Sequence, residues 1–277
     1  MNISKKVAAV AFVLLCGAAP AFAGKGGSNA KIVAAVQSGS VDAITAEVER
    51  AEGLMCPECV GTVMNLLEDN RFAVREVAAW WFAKRPGAKD QLAKQFKAEL
   101  TTAASVDVRN AADFLGRVRQ FDALPQLRVA IARTDLSAEA KLAIVRAVGY
   151  MAHIDGNSVL LTAMNDGEAS VRAAAVTAWR DILGQLDVKP LVAKLGDSDA
   201  KVRAAAATVI GVYGEPSARV MLEQLVTTDG DPFVRRNAAW ALGRIGSAES
   251  VTALRTASND SSGIVRGYAT AALATLK

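Results

Sequence analysis

Apolar and polar positions recur along most of the chain with a fixed period. Seven segments can be laid over one another: FAVREVAAWWFAKRP from Phe72, VDVRNAADFLGRVRQ from Val106, AEAKLAIVRAVGYMA from Ala138, ASVRAAAVTAWRDIL from Ala169, AKVRAAAATVIGVYG from Ala200, PFVRRNAAWALGRIG from Pro232 and GIVRGYATAALATLK from Gly263. Their starts lie 34, 32, 31, 31, 32 and 31 residues apart, a regularity that marks stacked repeats. The third position is Val74, Val108, Val171, Val202, Val234 and Val265, with Ala140 in the odd copy. Four residues on comes a small side chain, at Ala78, Ala112, Ala175, Ala206, Ala238 and Ala269, and three or four further another apolar one, such as Leu115, Val209 or Leu242. That spacing places all three on one face of a helix. Alanine at the centre of the face predicts close approach of neighbouring helices.

A second, shorter amphipathic stretch precedes most of these segments: VGTVMNLLED from Val60, KDQLAKQFKAEL from Lys89, VKPLVAKLGD from Val188, SARVMLEQLV from Ser217 and VTALRTASND from Val251. Asp, Gly, Ser and Pro punctuate the joints, as at Asp197-Ser198-Asp199 and Asp229-Gly230-Asp231-Pro232. Asp and Ser cap the free amides of a following helix, and Pro232 suits a first helical position. Each repeat therefore reads as helix, turn, helix, a unit that buries its apolar face only by stacking on its neighbours. Lys31 to Gln37 and Val41 to Ala51 predict two further helices ahead of the repeats. Few stretches alternate with period two, so the expected class is all-α.

The residues from Asp231 to Gly246, DPFVRRNAAWALGRIG, resemble the HEAT-like repeat pattern D-x-x-V-R-x-x-A-A-x-A-L-G-x-I-G, in its short form known from phycobilisome lyases. The resemblance extends over about Cys56 to Lys277. It implies a right-handed α-solenoid of about seven helix-turn-helix repeats, with an N-terminal helical cap over residues 30–55 and the solenoid over 56–277. It also implies a ladder in which a repeated arginine pairs with an acid of a neighbouring repeat. Arg75, Arg109, Arg172, Arg203, Arg235 and Arg266 occupy the arginine position, with Asp107, Asp199, Asp231 and Asp260 as the preceding acids. The third repeat departs, with Lys141 there. The alternative is a row of anion-binding arginines. The fold alone supplies no function. HEAT-like relatives include scaffolds, transport receptors, bilin lyase subunits and an iron hydroxylase. The hydroxylases use several His-Glu pairs, whereas this chain has the single His153, followed by Ile154.

The chain's start changes the compartment. Lys5 and Lys6, the apolar run from Val7 to Leu15, and Ala21-Phe22-Ala23 form a signal-peptide pattern with cleavage after Ala23. Residues 1–23 are then a signal peptide and 24–29 a glycine-rich tail, in an exported and by expectation periplasmic protein. No stretch is long and apolar enough for stable membrane insertion. Loss of the two leader lysines reduces the formal net charge from +4 to +2. Lys, Arg, Asp and Glu are well mixed, so nucleic acid is not an expected partner.

Chemistry-bearing motifs are sparse. Gly24 to Ser28 lacks the preceding strand of a phosphate loop, and no haem, zinc or catalytic-triad pattern is present, so no cofactor, metal or catalytic residue is expected. Cys56-Pro57-Glu58-Cys59 remains. At this spacing the two α-carbons come within disulfide range, and an oxidising compartment favours a clip at the start of the first full repeat. The alternatives are a thiol–disulfide centre at a helix N-terminus, or metal handling shared with a partner. For a non-enzymatic protein-binding module, the face opposite the Val/Ala stripe offers Trp80, Phe114, Arg117, Arg146, Arg180, Arg236, Trp240 and Arg244. Trp and Arg are enriched where binding energy concentrates. Equally, Trp80 and Trp240 could fill gaps left by small alanines. Tyr268 and Leu273 of the last segment are a second candidate surface.

Overall fold

The computed structural model describes residues 28–54 and 56–276. The expected leader lies outside the described residues. The chain divides into two compact units, Met1–Met151 and Ala152–Lys277, and the division falls inside the repeat array. Among the described residues all regular structure is helical: sixteen α-helices, with short 3-10 turns between some of them. No described helix is long and apolar enough to cross a membrane.

The first unit holds α1 (Ala30–Ser38), α2 (Val41–Arg50), α3 (Pro57–Leu66), α4 (Phe72–Ala83), α5 (Pro86–Thr102), α6 (Ser105–Arg117), α7 (Leu124–Ile131) and α8 (Ala138–Met151). They pair in order. The second helices stack in a row, α2 on α4, α4 on α6 and α6 on α8, while α1 packs on α3 and α5 on α7. The two extra N-terminal helices thus extend the same stack. Val74, Ala78, Val108, Ala112 and Ala140 are fully buried, as their spacing requires. Close approach is literal at Gly116 of α6, where an added Cβ would lie 2.5 Å from the Ala147 Cα of α8.

The second unit repeats the plan with α9 (Asn157–Ala163), α10 (Ala169–Trp179), α11 (Lys189–Lys194), α12 (Ala200–Tyr213), α13 (Arg219–Thr228), α14 (Pro232–Ile245), α15 (Val251–Ala257) and α16 (Gly263–Thr275). Here α10, α12, α14 and α16 form the row of second helices. The loop between α10 and α11 is held by buried Ile182, Gln185 and Val188. It turns Leu183 and Leu186 outward, 71% and 85% exposed.

The arginine ladder is present, but its acids are not all the expected ones. Arg172 donates through Nε and Nη2 to Asp197, Arg203 to Asp229 and Arg235 to Asp260, each in the following turn. The third nitrogen, Nη1, clamps two carbonyls of the arginine's own turn: Asp166 and Gly167, Asp197 and Ser198, and Asp229 and Gly230 respectively. Asp199 and Asp231 are not ladder acids. They are N-caps, accepting the N–H of Lys201 and of Phe233, and a carboxylate spent on free helical amides is turned away from the neighbouring guanidinium. Asp107 sits in the first turn of α6, and Arg109 instead reaches Glu139 of α8 at 2.9 Å. Among the described residues Arg266 binds two carbonyls, those of Asp260 and Ser261, and no acid.

Burial opposes the charge on Asp197 and Asp229, yet their arginine partners prevail and hold both carboxyls below the ordinary range. For Asp260 the Arg235 hydrogen bonds are the leading cause of the same shift.

Candidate functional site

In the first unit, three adjacent second helices enclose an open groove of about 250 Å³. Thr45 and Glu49 of α2 form one wall, one helical turn apart. Ala73, Glu76, Val77 and Trp80 run along one stripe of α4 as the floor, and Arg117 at the end of α6 closes the other side. The i, i+3, i+4, i+7 spacing on α4 makes that stripe continuous.

The polar groups on the groove are mostly engaged with one another. Glu76 accepts the Tyr150 hydroxyl at 3.0 Å and lies 3.6 Å from Arg117 Nε. Partial burial, and then the Glu76 carboxylate it donates to, raise the Tyr150 phenol above its ordinary value. Trp80 is half-buried, and its ring is within reach of the Lys84 ammonium, 5.8 Å from the centroid. The structure therefore brings Trp80 and Arg117 together. Thr45 and Glu49 were not singled out from sequence, because they precede the repeated segments; Tyr150, at the thirteenth position of its segment, was passed over although it shares the register of Arg244.

The other expected docking residues have different surroundings. Phe114 is a correction: it is 1% exposed, with ring centroids 4.9 Å from Phe96 and 6.5 Å from Phe82. The 17-residue α5 carries Phe96 over the place that Phe114 would need to leave open. Arg146 is bound to the buried Asp113 and stacks 4.1 Å over the Phe72 ring. In the second unit, Arg180 is exposed beside Asp181 at 3.2 Å, and Arg244 is exposed at the end of α14. Arg236 hydrogen-bonds Asn237 and lies near the rings of Phe233 and Tyr268. Trp240 is half-buried, and an added Cβ on Gly211 would meet its ring at 2.5 Å, so this indole does fill a gap left by a small residue. Tyr268 is 40% exposed.

The sulfurs of Cys56 and Cys59 lie 2.07 Å apart and their α-carbons 5.3 Å apart. Cys56 is the N-cap of α3, its sulfur accepting the Cys59 N–H at 3.2 Å, and Pro57 takes the first helical position. Both residues are buried, at 6% and 0% exposure. His153 caps the 3-10 turn Ile154–Gly156, its Nδ1 accepting the Asp155 N–H. Among the described residues no three His, Cys, Asp or Glu side chains converge as metal ligands would.

Comparison with known proteins gives a match over part of the second unit. Residues 188–274 match HEAT repeats. No curated protein matches in sequence. Among solved structures, YIBA_ECOLI, from Escherichia coli, superimposes with a TM-score of 0.59 at 13% identity, covering 90% of this chain and 92% of that one. A chain of the complex in which Kap95p binds RanGDP gives 0.62 at 15% identity, covering 99% of this chain and 41% of its own length. An engineered protein gives 0.52 at 20% identity, with coverage of 85% and 70%.

Proposed function

From a chain that carries HEAT repeats over residues 188–274 and folds as a helical-repeat protein of the HEAT/armadillo kind, we propose a non-enzymatic, protein-binding scaffold that is exported after loss of residues 1–23. The partner docks on the row of second helices in the first unit, at the groove around Trp80. The observation that carries this reading is the groove itself: a half-buried tryptophan beside Ala73, Glu76 and Val77, framed by three helices. Amphipathic indole at a rigid concave surface is the arrangement in which binding energy concentrates. At about 250 Å³ the groove is below the roughly 300–1,000 Å³ of small-molecule pockets, which favours a side chain over a cofactor.

Burial of both cysteine residues supports the clip at Cys56 and Cys59 over an exchange centre, because an exchanging thiol must be reached by its partner. The clip fastens the start of α3, and an oxidising compartment would keep it closed.

The test is site-specific photo-cross-linking in the producing cell. A benzophenone side chain placed at exposed Ala73, beside Trp80, is expected to give an adduct with one identified protein. The same group at Val129, 53% exposed on α7, is expected not to. Equal adducts from both positions, or none from Ala73, would overturn the docking surface. The intact mass of the exported protein checks the compartment: residues 24–277 are expected.

A further inference from the structure

We infer that the groove at Trp80 receives a cationic side chain, an arginine or lysine of the docked protein; this rests on the docking reading above.

Charge accounting is the first reason. Three charged side chains line the groove. Glu76 and Arg117 face each other, and Glu76 also holds the Tyr150 hydroxyl. Glu49 is exposed and has no ion-pair partner among the described residues. Among the lining residues the unmatched charge is therefore a carboxylate; the Lys84 ammonium near Trp80 stands outside the lining.

The second reason is the ring beside it. An indole face attracts a cation through its quadrupole more strongly than any other aromatic side chain does. The Lys84 ammonium, 5.8 Å from the Trp80 centroid, shows that a cation reaches this ring.

The third is the direction of the helices. Glu49, Trp80 and Arg117 lie near the C-terminal ends of α2, α4 and α6. Helix C-termini carry partial negative charge, and three side by side favour a cation at that rim. Ala73 and Val77 supply apolar surface for the methylene stem, as long basic side chains require. An acidic side chain would meet Glu49 unpaired and find Arg117 already beside Glu76.

The experiment titrates the mature protein with N-acetyl-arginine methylamide, and in parallel with the lysine, norleucine and glutamate analogues. The readout is the indole N–H resonance of Trp80, assigned among the four tryptophans by Trp80→Phe. The arginine and lysine analogues are expected to shift this resonance saturably, and the norleucine and glutamate analogues not. Glu49→Gln is expected to weaken the arginine analogue roughly threefold, the size of one exposed charge contact. An equal response to norleucine, a response to glutamate, or no response to arginine overturns the inference. Cross-linking from Ala73 decides the docking reading separately, so the two can fail independently.

Discussion

Arg75 of α4 and Asp113 of α6 form a buried ion pair, with Nη2 2.7 Å and Nε 2.9 Å from the same carboxylate oxygen and both side chains no more than 3% exposed. For Arg172, Arg203 and Arg235 the ladder acid lies in the next turn. After Arg75 that turn, around Ala103 and Ala104, offers none, and an acid from within the next helix takes its place. The same Asp113 binds Arg146 of α8 through its other oxygen, so one carboxylate ties three helices. Removing it leaves two guanidinium groups facing each other. Asp113→Ala is expected to cost about 3–5 kcal/mol, the usual penalty for breaking a buried pair from one side. Replacing both partners, Arg75→Met with Asp113→Leu, is expected to recover a large part of it. Urea unfolding of the three proteins checks this. A single variant within about 1 kcal/mol of wild type, the scale of an exposed pair, would show that water reaches the site.

Acid should loosen the second unit through its ladder. The Asp197, Asp229 and Asp260 carboxyls are depressed in the folded state, so the unfolded chain binds protons more readily. Their contribution is then complete above the unfolded carboxylate pKa of about 3.9 and disappears as pH falls through the lower folded values. Asp229→Asn removes one such contribution. The variant is expected to be less stable than wild type at neutral pH, with the difference shrinking as pH drops below about 4. Thermal unfolding between neutral pH and pH 3 measures it. A gap that stays constant would mean that Arg203 gains nothing from the charge.

Two glycines should respond to alanine with opposite signs. At Gly116 the new Cβ would lie 2.5 Å from Ala147 Cα and 2.7 Å from its Cβ, so helices α6 and α8 must separate. Gly267 of α16 has open space there. Helix propensity favours alanine over glycine by about 1 kcal/mol at either site, whereas overpacking costs about 1–3 kcal/mol. Gly267→Ala is expected to raise the unfolding midpoint and Gly116→Ala to lower it. Two changes of the same sign would contradict the close approach.

The buried framework was legible in the sequence because burial there follows one register. Val74, Val108 and Val234, and the alanines four residues on, recur at fixed positions and are all buried. The outward face was less legible. Trp80, Phe114 and Trp240 share the ninth position of their segments, yet Trp80 lines a groove, Phe114 is covered by Phe96 and Trp240 fills the space over Gly211. What differs is the neighbouring helix, which the register does not encode. Asp199 and Asp231 were each two residues from the true ladder acid for a related reason, whereas Asp260 does pair with Arg235. A turn such as Asp229-Gly230-Asp231 carries two carboxylates, and only the path of the chain decides which one caps its own helix. Glu49 belongs to a helix outside the repeat pattern, and nothing local marks it as opposite Trp80.

The cysteine pair tests whether the first full repeat is fastened or merely capped. Cys56 caps α3 in this structure, its sulfur accepting the Cys59 N–H. A four-residue loop contributes about 2 kcal/mol when closed, in the chain-entropy view. Losing a side-chain cap costs about 1 kcal/mol, and serine restores one. Cys56→Ala with Cys59→Ala is therefore expected to be less stable than Cys56→Ser with Cys59→Ala, and both less stable than the oxidised wild type. Alkylation before and after reduction gives the chemical side: with Cys56 and Cys59 at 6% and 0% exposure, the folded protein is expected to resist iodoacetamide until it is reduced and unfolded together. Rapid labelling of both thiols in the native exported protein would instead place the pair in exchange chemistry and remove the clip.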